Sequence, residues 1–292
     1  MNKVMSNKLI ITLYVLPALL LIMVLIYVPI VLTGYYGLMR WDGVGEMTFI
    51  GLDNYIRLLS DNQFWRSSFH SLLLAIFSTI SLIGYLIISL ILATKIKGAN
   101  FLRKIYLIPM LLSSVAIAQL WLKIYHPTNG LLNSLLFTIG FNNAPAWLAD
   151  RSLVLFSIFI AIIWQYAGFY ILIYYAALKN IPESIIEAAK IDGATPIQIA
   201  YKIKFPLILG VFKVTIILAI VGSLKYFDLI WIMTGGGPAG ASEVIASYMY
   251  KQAFSSYNFG YGSAVGFYLL LFCLIATWLI RKLTTSKEEI QY

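Results

Sequence analysis

Long apolar runs, each closed by a few polar or basic residues, set the pattern of this chain. Leu9–Met39, Ser71–Thr94, Ile105–Leu122 and Ser152–Leu178 contain no charged side chain. A fifth run, from Pro206 to about Met233, tolerates Lys213, Lys225 and Asp228, and a sixth, from about Gly262 to Ile280, ends at Arg281 and Lys282. A bilayer core takes roughly 20 apolar residues per helix. The pattern therefore predicts six spans, at about 9–39, 71–94, 105–122, 152–178, 206–233 and 262–280. The first is longer than the apolar part of a secretory signal and lacks a small-residue cleavage site, so it reads as a retained helix. No internal repeat, low-complexity tract or flexible linker interrupts the chain, and 1–292 is expected to form a single membrane domain.

The connection 179–205 is different in kind, because it is polar and yet reads as helix. Ile181-Pro182 suits a first helical turn, and Ile185, Ile186, Ala188, Ala189 and Ile191 give an apolar side beside Glu183, Glu187 and Lys190. Gly193 is a natural stop, since glycine takes left-handed angles at little cost. The predicted helix has about eleven residues and a length of roughly 16 Å. Thr195, Pro196 and Gln198 form a second start signal, with a proline at the first position and a Thr-x-x-Gln capping box. On pattern alone, this hairpin fits equally an amphipathic connector lying on the headgroups and a helix that docks on a partner.

Composition narrows the class. The 292-residue chain is 61% apolar and 11% charged, whereas an average soluble domain is about 25% charged. The single Cys273 excludes an intramolecular disulfide. A net charge of +9 would point to nucleic acid if it were clustered, but the basic residues lie at the ends of apolar runs. Lys3, Lys8, Lys95, Lys97, Arg103, Lys104, Lys179, Lys190, Lys202, Lys204, Arg281, Lys282 and Lys287 all fall in the termini or in the second and fourth connections. The first connection sets Arg40, Arg57 and Arg66 against Asp42, Glu46, Asp53 and Asp61. Positive-inside then puts both termini and the hairpin in the cytoplasm.

The residues also carry a resemblance. Glu187-Ala188-Ala189, Asp192-Gly193-Ala194, Ile203 and Pro206 resemble the EAA loop of binding-protein-dependent ABC importer permeases. "GLDNYIRLL" (Gly51–Leu59), "HPTNGLLN" (His126–Asn133), "TGGGP" (Thr234–Pro238) and "NFGYGSA" (Asn258–Ala264) look like the carbohydrate branch, which includes the maltose and glycerol-3-phosphate permeases. These motifs occur in the right order over nearly the whole chain. One departure is Gly210, where many relatives have a second proline.

The resemblance implies an all-α integral membrane protein of the type I ABC importer permease fold, in its minimal six-span form. It implies that Glu187, Ala188, Ala189, Asp192, Gly193 and Ala194 dock as a coupling helix in a groove of an ATP-hydrolysing subunit. Glu187 would meet a basic residue there and Gly193 would allow the bend. The implied partners are a second homologous permease, two ATP-binding subunits, an extracytoplasmic solute-binding protein that the outer loops touch, and membrane lipids, with no nucleic acid. The implied location is a bacterial cytoplasmic membrane. ATP and Mg²⁺ would sit on the partner subunits and no cofactor on this chain. In keeping with that, the sequence contains no G-x-x-x-x-G-K-[ST] phosphate loop, and Gly235–Gly237 read as turn flexibility. No catalytic residue is expected.

Alignment outward from Glu187 implies a substrate pathway at Gln165, Tyr166 and Phe169 of the fourth span and at Ala219, Gly222, Ser223 and Tyr226 of the fifth. Aromatic faces beside hydroxyls suit sugars, although the same aromatic residues also suit helix packing or an interfacial belt. Lys225 and Asp228, three apart, are expected on one helical face, where they can pair. If the span starts at Pro206 they reach the outer headgroups, and only a deeper start brings them toward a solute. His70 and His126 stand alone, without a second residue at metal-ligand spacing, and fit packing better than zinc.

Two other classes fit the composition. A secondary transporter would show inverted repeats and acids at the midplane, and apart from Asp228 the spans lack acids. An intramembrane enzyme would need a nucleophile with a base, or paired acids, and neither histidine sits near a serine or cysteine motif of that kind. Within the importer class, glycerol-3-phosphate or another non-sugar solute is the alternative to a sugar.

Overall fold

A computed structural model of the chain describes residues 8–94, 98–141 and 143–284. Lys3, Lys95, Lys97 and Lys287, which carry part of the orientation argument, lie outside them. Among the described residues, five helices are long and apolar enough to cross a membrane: Ile10–Tyr36, Asn62–Leu92, Val154–Lys179, Leu209–Thr234 and Phe259–Leu283. A sixth crossing exists only if Ala99–Leu111 and Ser114–Ile124, bent by 102°, count as one span.

The described residues fall into two compact units. The first takes residues up to Asn62 together with Tyr248–Leu271. Its chain enters through α1 (Lys8–Ile22), a π turn (Met23–Tyr27) and α2 (Val28–Tyr36). Leu13 and Tyr14 are 66% and 80% exposed, and lipid satisfies such an apolar surface where water would not. A small antiparallel hairpin follows, β1 (Met39–Arg40) on β2 (Thr48–Phe49). Then comes α3 (Asp53–Ser60), which holds "GLDNYIRLL". Asn54 is buried there and donates to the Gly37 and Met39 carbonyls at 3.0 and 2.9 Å. Asp61 accepts from the Tyr248 and Tyr261 hydroxyls, and the Arg57 guanidinium lies 4.1 Å from the Tyr261 ring centroid.

The second unit takes Gln63–Ser247 and the residues from Phe272 on. The helices in chain order are α4 (Asn62–Leu92), α5 (Ala99–Leu111), α6 (Ser114–Ile124), α7 (Leu131–Thr138) and α8 (Val154–Lys179). After the hairpin come α12 (Leu209–Leu224) and α13 (Asp228–Thr234). One apolar cluster joins Leu74, Ile117, Tyr125, Ile158, Leu229 and Ile230, and another joins Leu82, Tyr85, Tyr170, Tyr174, Ile208 and Ala219. Tyrosines in these clusters bury their rings and still find an acceptor or partner for the hydroxyl. Tyr85 donates to the Ile163 carbonyl and Tyr125 to the Ser157 carbonyl, each at 2.8 Å, and Tyr174 meets Thr215 at 2.5 Å.

Two expectations need correction. The run 105–122 is not one straight helix. Leu112 is extended and the Ser113 hydroxyl accepts from the Ala116 amide at 3.2 Å, so α6 starts afresh with its own cap. Lys225 and Asp228 do not share a helical face either. Helix α12 ends at Leu224, Lys225 caps it, and α13 begins at Asp228. The Asp228 carboxylate instead accepts from the Ser114 hydroxyl at 3.3 Å.

Between α13 and Ser247, the segment around "TGGGP" is held against the first turns of α4. The Gln63 amide donates to the buried Glu243 carboxylate at 2.5 Å, and the Ser71 hydroxyl accepts from the Ile245 amide at 3.0 Å. The His70 Nδ1 lies 2.9 Å from the Glu243 carbonyl oxygen. His70 thus has a local, structural role.

The hairpin itself consists of α9 (Glu183–Ile191), α10 (Pro196–Gln198), a π turn (Ile199–Lys204) and α11 (Phe205–Leu207). Helix α9 has nine residues rather than eleven, because Pro182 lies outside it as the N-cap. The capping box is complete: the Thr195 amide donates to Gln198 Oε1 at 2.8 Å and the Gln198 amide to Thr195 Oγ1 at 3.3 Å. Thr195→Ala should cost about 1 kcal/mol locally. The measurement is faster amide hydrogen exchange confined to residues 195–200, with exchange in α8 unchanged.

The segment after α13 continues as α14 (Ile245–Tyr250), a π turn (Lys251–Ser255) and the long α15 (Phe259–Thr284).

Candidate functional site

Two features of the second unit carry chemistry: the hairpin surface and a cavity among α4, α8 and α12. The hairpin is the direct connection between the last two of these helices. Lys179 ends α8, Leu209 begins α12, and no flexible linker lies between them.

On α9, Glu187 and Ala188 are exposed, while Ala189 is buried. The apolar residues do not all turn inward as the pattern implied. Ile185 and Ile186 are half-buried, but Ile191 is 86% exposed and Ile197, beyond the bend, is 75% exposed. Ile191 is the last residue of α9, just before the stop at Asp192-Gly193, where no neighbouring element covers it. Gly193 has φ +77 and Asp192 is the C-cap. The Gly193 and Ala194 amides donate to the Lys190 and Ala189 carbonyls at 3.1 and 2.9 Å, which closes the helix end. The result is a short rigid rod presenting Glu187, Ala188, Ile191 and Ile197 to solvent.

The cavity has a volume of about 170 Å³. Its lining brings together Tyr166, Phe169, Ala219, Gly222, Ser223 and Tyr226. Gln165 stands behind them and accepts from the Tyr226 hydroxyl at 3.2 Å. The Tyr166 and Tyr226 rings meet edge to face, 6.2 Å apart. Lys225 and Asp228, the remaining expected residues, are not among its lining residues. Helix α4 contributes a wall that counting apolar runs passes over. Ser78, Ser81 and Tyr85 line the cavity at spacings of three and four, a polar stripe on one helical face. Hydroxyls placed beside ring faces are groups that can bind a polyol. Among the described residues, no group of three or more His, Cys, Asp or Glu side chains is placed to hold a metal ion.

These features are an exposed, capped hairpin joined directly to two of the helices that wall a cavity of hydroxyls and rings, in a chain of long apolar helices. Residues 85–287 match the model of the family described as "Binding-protein-dependent transport system inner membrane component", and the chain belongs to that family. It is 35% identical, over 97% of its length and 99% of the relative, to the "Probable ABC transporter permease protein YurN" of Bacillus subtilis. It is also 35% identical, over 92% of its length and 90% of the relative, to the "Trehalose/maltose transport system permease protein MalF" of Thermococcus litoralis. Among solved structures, it shares its fold with a chain of a bacterial alginate ABC transporter in complex with an alginate pentasaccharide-bound periplasmic protein. That match has a TM-score of 0.85 at 21% identity and covers 97% of this chain and 98% of the other.

Proposed function

We propose that this chain is the permease subunit of an ATP-driven importer for sugars or oligosaccharides, acting as one membrane domain with residues 179–205 as its coupling loop. One observation carries the reading: the exposed rod is continuous with two of the three helices that wall the hydroxyl-and-aromatic cavity. Force applied at Glu187, Ala188, Asp192 and Ala194 passes through the capped bend into α8 and α12. Closure of two ATP-binding subunits outside this chain would then rock the cavity walls between inward- and outward-open arrangements. A second permease would supply the facing half of the passage, and a solute-binding protein would deliver the sugar to the outer connections. ATP and Mg²⁺ belong to the ATP-binding subunits. The hairpin and both termini face the cytoplasm in this reading.

The test is reconstitution in vesicles with the ATPase subunits, a second permease and a solute-binding protein of the same importer. Solute should accumulate with ATP inside the nucleotide-accessible compartment and stop without it. Accumulation driven by an ion gradient, without nucleotide, would refute the assignment. Within the same assay, Tyr166→Ala should raise the solute concentration for half-maximal uptake at least about tenfold, leaving basal ATP hydrolysis unchanged. An unchanged concentration dependence would remove Tyr166 from the pathway.

A further inference from the structure

The hairpin has an inner side as well as an exposed one. Between α9 and the ends of α4 and α8 lies a cavity of about 1020 Å³. Its wall carries three ammonium groups, Lys179, Lys190 and Lys204, and one carboxylate, Glu183, while Leu90, Leu178 and Ile186 contribute an apolar floor. A smaller cavity, about 230 Å³, is also lined by Lys179 and Thr94 and adds Arg103. The Arg103 guanidinium lies 4.1 Å from the Tyr175 ring centroid, and the Lys179 ammonium lies 5.9 Å from the same centroid. Three ammonium groups and Glu183 thus face one cavity where the apolar helix α8 ends, and Arg103 faces the adjoining one across Lys179.

We propose that this pair of cavities binds the headgroup of one anionic phospholipid, with Lys179, Lys190, Lys204 and Arg103 around the phosphodiester and the acyl chains on the apolar floor. The charge argument comes from the cluster itself. Partial burial, and then the neighbouring Lys179 and Lys190, hold the Lys204 ammonium below the usual lysine pKa range. A bound anion relieves that repulsion. The apolar floor selects the source of the anion. A free phosphate or a nucleotide leaves Leu90, Leu178 and Ile186 unused, whereas a lipid fills both halves of the site. Basic pockets at the ends of membrane helices take anionic headgroups for this reason, each cation contributing to the attraction. Lys190 lies on the coupling helix and Lys179 at the end of α8, so the lipid would tie the docking rod to the bilayer edge.

The experiment uses the assembled importer, delipidated in detergent and titrated with phosphatidylglycerol or with phosphatidylcholine of the same acyl chains, read by native mass spectrometry. Wild type should retain one phosphatidylglycerol in preference to phosphatidylcholine. The double variant Lys190→Gln, Lys204→Gln should lose that retention on the order of twentyfold, about fivefold per cation removed. Lys190→Arg with Lys204→Arg should keep it, and Lys123→Gln, which removes one positive charge elsewhere, should leave it intact. Equal retention by the glutamine double variant and Lys123→Gln would overturn the proposal. So would displacement of the lipid by millimolar inorganic phosphate, which would mark a free-anion site, or loss of the ATPase subunits from the glutamine variant with lipid retention unaltered.

Discussion

Glu187→Lys should leave the chain in the membrane at normal abundance and reduce solute uptake to background, at least about a hundredfold. The side chain is exposed on a nine-residue rod and contributes nothing to the buried clusters, so folding tolerates the change. A docking surface does not, because reversing a charge against a basic partner replaces an attraction by a repulsion, and like charges set against each other cost several kcal/mol. Gly193→Asp should give the same loss by another route. At φ +77 a residue with a Cβ carries a penalty of about 1–2 kcal/mol, and the bend between Ile191 and Ile197 would relax. The measurement pairs uptake with recovery of the ATPase subunits on affinity-purified permease. Normal uptake in both variants would remove the coupling role from this hairpin.

The second large effect is structural. Gly168→Ala should lower the melting temperature of the detergent-purified protein sharply, and Gly168→Val should fail to accumulate. A methyl group at Gly168 overlaps the Tyr106 carbonyl oxygen and comes within 2.9 Å of the Leu107 Cα. Both obstacles are backbone of α5, which cannot swing aside as a side chain can. Overpacking of this kind costs about 1–3 kcal/mol or more. Gly84→Ala is the matched control, since nothing lies within 4 Å of its added methyl and alanine is the better helix former. A melting temperature for Gly168→Ala equal to that of Gly84→Ala would mean that α5 and α8 do not approach so closely.

Much of this was written in the sequence in physical terms. Charge-free runs marked the crossing helices because a buried charge is expensive in lipid. Thr195, Pro196 and Gln198 marked a helix start because each satisfies a specific backbone requirement there. The breaks were harder to read. Composition is equally apolar on both sides of Leu112-Ser113 and little changed across Tyr226-Phe227, so run length alone passes over a 102° bend. Only the Ser113 cap hinted at the first break. Tyr166, Phe169, Gly222, Ser223 and Tyr226, distant in sequence, line one cavity. Lys225 and Asp228, whose expected pairing assumed a continuous helix, do not line it. Ser78, Ser81 and Tyr85 carried a legible signal in their spacing, but hydroxyls interrupt an apolar run too weakly to draw attention.

Helix α4 has 31 residues, a length of about 46 Å. Near its start, Gln63, His70 and Ser71 hold the segment that follows "TGGGP". At its far end, Leu90 lines the space beneath the docking rod. A stiff beam gripped at both extremities cannot pivot at one without swinging the other. If a loaded carrier docks at one face and ATP-binding subunits at the other, as proposed above, the two would be hands on a single lever, and news between them would travel at the speed of a tilt.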